Sequence, residues 1–169
     1  ALQSMPGSVD AHNNLGIALA AKDQSDEAIA EFREALRLGP DSSKTHRNLG
    51  DALASQGMRE EAIEHLRRAA QLDPGDGSAH YNLGSVLLEA GMFKDATDRF
   101  RTALQLMPDS ADAYNNLGIA LASQGELDEA IDQFQQALRL QPAFVDAQRN
   151  LAKLRSLKPT REAPLAGRS

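Results

Sequence analysis

Apolar residues in this chain come in paired bursts. Leu15 and Leu19 are followed, after a polar gap, by Ala28, Ile29, Phe32 and Leu36, and steps of three and four residues trace one face of an α-helix. Two amphipathic helices joined by a short turn are therefore predicted. The bursts return every 34 residues: Pro6, Pro40, Pro74, Pro108 and Pro142 keep that interval, as do Gly16, Gly50, Gly84 and Gly118. A fixed period of this length means that one supersecondary unit is stacked again and again. Counted from Val9, the units are 9–42, 43–76, 77–110 and 111–144. Residues 145–157 read as one further amphipathic helix, expected to cap the array with a polar outer side. Ala1 and Leu2 align with Ala35 and Leu36, so residues 1–8 are expected to end a truncated preceding repeat. Residues 158–169 hold two prolines and no apolar period, and a flexible tail is expected there.

Punctuation between the bursts agrees with this division. Ser8, Ser42, Asp76 and Ser110 stand where a side chain would cap the first helix of each unit. Gly57, Gly91 and Gly125 occupy the turn between helices, where a left-handed exit favours glycine, while the first unit has Asp23 there. Acidic residues then open each second helix, as in Asp26-Glu27, Glu60-Glu61, Asp95 and Asp128-Glu129, opposing the positive end of its dipole. A glycine inside a helix costs about 1 kcal/mol relative to alanine. The recurrence of Gly16, Gly50, Gly84 and Gly118 in mid-helix thus predicts close packing, with Ala28, Ala62, Ala96 and Ala130 as the expected partners.

A 34-residue helix-turn-helix unit with these residues resembles the tetratricopeptide repeat. The first unit carries the signature as Leu15-Gly16, Leu19, Ala28, Phe32, Ala35 and Pro40. The fourth repeats it as Tyr114, Leu117-Gly118, Leu121, Ala130, Phe134, Ala137 and Pro142. The departures are mild: His12, His46 and His80 replace a larger aromatic, and Leu66 replaces Phe. Armadillo-like and HEAT units, at about 40–47 residues, fit worse. The resemblance implies an all-α, right-handed superhelical solenoid with a concave and a convex surface.

Composition and charge narrow the function. A formal charge of −6 and a pI near 5.2 speak against nucleic acid, which needs a basic face. No run approaches the ~18 apolar residues of a membrane span. There is no cysteine, so neither disulfide nor thiolate metal site is expected and the compartment stays open, with the cytoplasm favoured. No phosphate loop, nucleophile elbow or metalloprotease helix is present, so neither catalysis nor a cofactor is expected. His12, His46 and His80 lie one repeat apart, too far to converge on one metal ion.

The residues that do suggest binding are Asn14, Asn48, Asn82, Asn116 and Asn150, at one place in every period. In the family the first helix of each hairpin lines the concave side, which implies a ladder of amides along the groove. An amide offers donor and acceptor alike and can pair with a peptide backbone without reading side chains. The repeat array of O-linked N-acetylglucosamine transferase is similar in carrying such a ladder, which implies the same use here. Lys44, Arg47, Tyr81, Asn115 and Arg149 are expected beside it, with Lys44 and Arg47 as a local cationic spot in a nearly neutral groove. The clamp that holds chaperone tails in some members is not matched, because its places hold Asn13, Arg47, Tyr81 and Ile17, Asp51, Ser85. The expected function is a protein-interaction scaffold that docks an extended peptide. The alternatives are a substrate-recognition arm of a larger enzyme such as a glycosyltransferase, and self-association as a homodimer through an exposed N-terminal edge.

Overall fold

The computed structural model describes residues 8–157. The expected truncated repeat, apart from Ser8, and the expected tail lie outside the described residues. Within them the chain forms α1 (Val9–Ala20), α2 (Ser25–Leu38), α3 (Ser43–Ser55), α4 (Arg59–Leu72), α5 (Gly77–Glu89), α6 (Phe93–Leu106), α7 (Ala111–Ser123), α8 (Leu127–Leu140) and α9 (Val145–Leu157). No strand occurs among the described residues, and the fold is an all-α tetratricopeptide-type solenoid.

Local chemistry sets the helix ends. The side chains of Ser8, Ser42 and Ser110 each accept a bond from the backbone N–H three residues on, and Asp76 accepts from the N–H groups of Ser78 and Ala79. Each satisfies donors that a helix start leaves unpaired. The turns into the second helices use φ near +75° at Gly57 and Gly91 and +83° at Gly125, whereas Asp23 adopts +59° with a side chain attached. The second helices α2, α4, α6 and α8 have no side-chain cap and begin instead with acidic residues.

Each odd-numbered helix packs on the even-numbered one that follows, and each hairpin packs on the next. The odd helices also approach one another closely in sequence, α1 with α3, α3 with α5, α5 with α7 and α7 with α9, while the backbones of successive even helices stand further apart. The array therefore closes toward the odd helices, and these line its concave side. One continuous core runs through Phe32, Leu49, Leu53, Leu66, Leu83, Leu87, Phe100, Leu117, Leu121, Phe134, Leu151 and Leu154. Ala28, Ala62, Ala96 and Ala130 are fully buried in it.

The mid-helix glycines have a different partner from the one expected. A Cβ on Gly16, Gly84 or Gly118 would lie 2.6–2.8 Å from the ring of Phe32, Phe100 or Phe134, and one on Gly50 would lie 2.6 Å from Cγ of Leu66. Ala62 is touched only through its carbonyl oxygen, at 3.3 Å from the Gly50 position. The glycine makes room for the large side chain one turn beyond the alanine, because that side chain reaches back over the preceding turn.

Histidines tie the two helices of a hairpin to each other. Nε2 of His46 donates to the Pro40 carbonyl at 2.9 Å, so its Nδ1 accepts from Nδ1–H of His65 at 2.9 Å. In the first hairpin His12 meets Glu31 at 2.6 Å by the same spacing. Burial, with His46 beside it, holds the His65 imidazole below its ordinary pKa. The last helix, α9, buries Ala147, Leu151 and Leu154 and exposes Asp146, Gln148, Arg149, Lys153 and Arg155.

Candidate functional site

The concave surface is built by α1, α3, α5, α7 and α9, and it contains the five regularly spaced asparagines. Asn14 is exposed and has no hydrogen-bond partner among the described residues, while the other four are half-buried and reach across to the preceding odd helix. Nδ2 of Asn48 donates to Oδ1 of Asn13 at 2.9 Å, and that of Asn150 to Oδ1 of Asn115 at 3.1 Å. Nδ2 of Asn82 donates to both carboxylate oxygens of Asp51 at 2.8 Å. Asn116 donates to the Tyr81 hydroxyl at 3.2 Å. The ladder is thus a seam of inter-repeat hydrogen bonds as well as a row of groove amides. The side-chain oxygens of Asn48, Asn82 and Asn150 take no part in these bonds.

The other expected groove residues divide. Tyr81 stands half-buried, with its ring 6.0 Å from that of Phe100 and its hydroxyl held by Asn116. Lys44 is exposed. Arg47 is paired within the fold: its Nη1 donates to Asp76 at 2.7 Å, with both side chains largely shielded. Since Asp76 also caps α5, this pair fastens α3 to the start of α5, and the expected cationic spot reduces to Lys44. Arg149 is exposed and pairs with Asp146 one turn earlier at 3.0 Å. Asn115 is only 5% accessible, and its amide links Asn116 and Asn150. Its place in α7 faces the joint with α9, which the one-residue offset from Asn116 on a helix brings about.

Asp51 is the electrostatic centre of this face. Desolvation pushes its carboxyl up to about 6, against the lowering pull of the Asn82 bond and of Arg47. A depression of about 560 Å³ beside it, between the first two hairpins, is lined by Ile17, Ala20, Phe32, Asn48, Asp51 and Ala52, with Asp23, Ser25, Ser55 and Gln56 at its edge toward the turns. A second, of about 280 Å³, lies between α7, α8 and α9, lined by Ile119, Ala122, Ser123, Leu127, Phe134, Asn150, Lys153 and Leu154. Sequence reasoning missed both as sites. The signal was present in Ile17 and Ile119, which stand where the intervening repeats have Asp51 and Ser85. Among the described residues no group of three or more acidic, histidine or cysteine side chains is placed to hold a metal, and no helix is long and apolar enough to cross a membrane.

Solved structures share this architecture. MamA residues 41 to the end, from Desulfovibrio magneticus RS-1, match with a TM-score of 0.84 at 23% identity, covering 88% of this chain and 84% of that one. Another MamA crystal structure matches with a TM-score of 0.80 at 29% identity, over 83% of this chain and 82% of that one. YrrB, described as a TPR protein with an unusual peptide-binding site, matches with a TM-score of 0.80 at 26% identity, over 89% and 78%. Among curated proteins, none matches the chain. Family profiles described as tetratricopeptide repeat match residues 75–143 and, in overlapping stretches, 1–43, 13–77 and 47–97; the chain belongs to the tetratricopeptide-repeat family.

Proposed function

We propose that this chain is a protein-interaction scaffold that docks an extended peptide segment along the concave face of α1, α3, α5, α7 and α9. The observation that carries it is the row of asparagines on that face, with Asn14 open and the oxygens of Asn48, Asn82 and Asn150 outside the inter-repeat bonds. Backbone N–H groups of a stretched peptide are the natural donors to such oxygens, and this pairing tolerates varied side chains. The peptide-binding site named for YrrB, a protein of the same fold, supports the reading.

The test is selection of peptides from a displayed random library, followed by anisotropy titration of the enriched peptides. Asn14→Ala combined with Asn48→Ala is expected to weaken them about tenfold, equivalent to ~1.4 kcal/mol. Glu64→Ala on the outer helix α4 is expected to change nothing. Equal affinities for all three proteins would refute groove docking. Because Asn48 also joins α1 to α3, Asn14→Ala alone provides the variant with no seam bond to lose.

One observation favours a second reading, self-association. Leu15 and Ile17 on α1 are 48% and 47% exposed, and apolar surface of this kind invites pairing. Leu15→Glu would then lower the weight-average mass in sedimentation equilibrium, whereas a monomer mass for the unmodified chain at all concentrations removes this reading.

A further inference from the structure

The two concave depressions occupy the same place in the repeat, three periods apart. Ile17, Ala20, Phe32, Asn48 and Ala52 in the first correspond to Ile119, Ala122, Phe134, Asn150 and Leu154 in the second. Apolar floor and asparagine wall are therefore common to both. One wall position differs in sign: Asp51 in the first is replaced by Lys153 in the second. In the third repeat Leu88 fills the place where Ala20 and Ala122 leave room, and it packs on the core.

Both charges retain capacity for a ligand. Among the described residues Asp51 accepts only from the amide of Asn82, and a carboxylate has about four lone-pair sites. Lys153 is exposed and no carboxylate among the described residues pairs with its ammonium.

We infer that the two depressions are paired anchor sites for one extended peptide, the first taking an apolar side chain beside a basic residue and the second an apolar side chain beside an acidic residue. The inference rests on the groove-docking reading above and adds the ligand's spacing and polarity. Three steps of helix packing, at roughly 8–10 Å each, separate the sites by about 24–30 Å. An extended chain advances ~3.3 Å per residue, which puts the two apolar anchors about eight residues apart. The opposite charges select one chain direction, since the reversed peptide would set like charges together at both ends. Two modest pockets joined by one ligand bind far more tightly than either alone.

The experiment selects displayed random 16-residue peptides on the whole chain and titrates synthetic copies of the enriched sequences. The expected consensus has two apolar residues about seven to nine positions apart, with Lys or Arg beside one and Asp or Glu beside the other. Lys153→Glu is expected to weaken these peptides about tenfold, and exchanging the peptide's acidic residue for Lys to restore binding. Asp51→Asn should weaken them several-fold while keeping an acceptor for Asn82. Melting temperature of Lys153→Glu is expected to stay unchanged, because the side chain has no partner to lose. Enriched peptides that lose affinity on Asn14→Ala but carry a single anchor, or ignore Lys153→Glu, overturn the paired-anchor inference alone. Absence of any peptide sensitive to Asn14→Ala overturns both this inference and groove docking.

Discussion

The ring of Phe100 occupies the space that a Cβ on Gly84 would need, 2.8 Å away, so residue size at two places decides how near α5 and α6 lie. Gly84→Ala gains about 1 kcal/mol of helix propensity, but overpacking a full core costs about 1–3 kcal/mol. The net expectation is a loss of up to about 2 kcal/mol in denaturant unfolding. Phe100→Ala, which removes the ring that the new Cβ would meet, should cost less in the Gly84→Ala background than in the parent. Strict additivity of the two losses would show that the ring and the Cβ do not compete for one space.

Asp51 supplies a pH dependence at the same scale. Its folded pKa of about 6 lies above the ordinary 3.8, so the folded state disfavours the ionised form. The stabilising contribution of the protonated acid is fully present below about pH 4 and is lost as pH rises through about 6. Asp51→Asn, which cannot ionise, is expected to be more stable than the parent by roughly 1–2 kcal/mol at pH 7.5, with the advantage shrinking toward pH 5. Thermal melts across that interval check it, and a difference independent of pH would contradict the assignment.

Between elements, single residues act as fasteners. Asp76 caps α5 through two backbone N–H groups and simultaneously receives Arg47 from α3. Asp76→Ala should cost about 2–3 kcal/mol, since a cap and a shielded ionic bond disappear together. Asp76→Ser should cost about half as much, because serine caps α3 and α7 at the corresponding place. Equal losses would mean that the cap contributes nothing. The inter-repeat asparagine bonds fasten the concave side in the same way. The exposed pairs Arg33–Glu61 and Arg101–Glu129, on the outer helices, are worth little in water.

Among the described residues of the whole array, helix contacts run only within hairpins and between neighbouring ones, and stability in such an array is close to a sum of local and nearest-neighbour contributions. Burial is uneven along it. In α1 only Gly16 is buried, whereas α5 buries seven residues and α7 another seven. Amide hydrogen exchange is expected to be fastest in α1 and slowest in α5 and α7, because local opening costs least where least surface is covered. Uniform protection from α1 to α7 would instead indicate one cooperative unit.

The helices, the left-handed turns at Asp23, Gly57, Gly91 and Gly125, and the serine and aspartate caps were legible in the residue pattern, because each is decided within three or four positions of the chain. The place of the five asparagines on one face was legible for the same reason, as period and helical pitch together define a stripe. What the pattern could not reveal was the bonding of that stripe. Asn82 meets Asp51, Asn116 meets Tyr81, and Arg47 meets Asp76 across 29 to 35 residues of chain. Those meetings depend on how far one hairpin rotates against the next, a quantity set by Phe, Leu and Gly packing in three dimensions. The raised pKa of Asp51, the burial of Asn115 and the two concave depressions follow from that rotation. Sequence alone determined a stacked helical scaffold with an amide-lined side, because its signals are local and periodic. Tertiary structure decided which of those amides are already engaged and where room is left for a ligand, because only packing between distant segments excludes water and closes space.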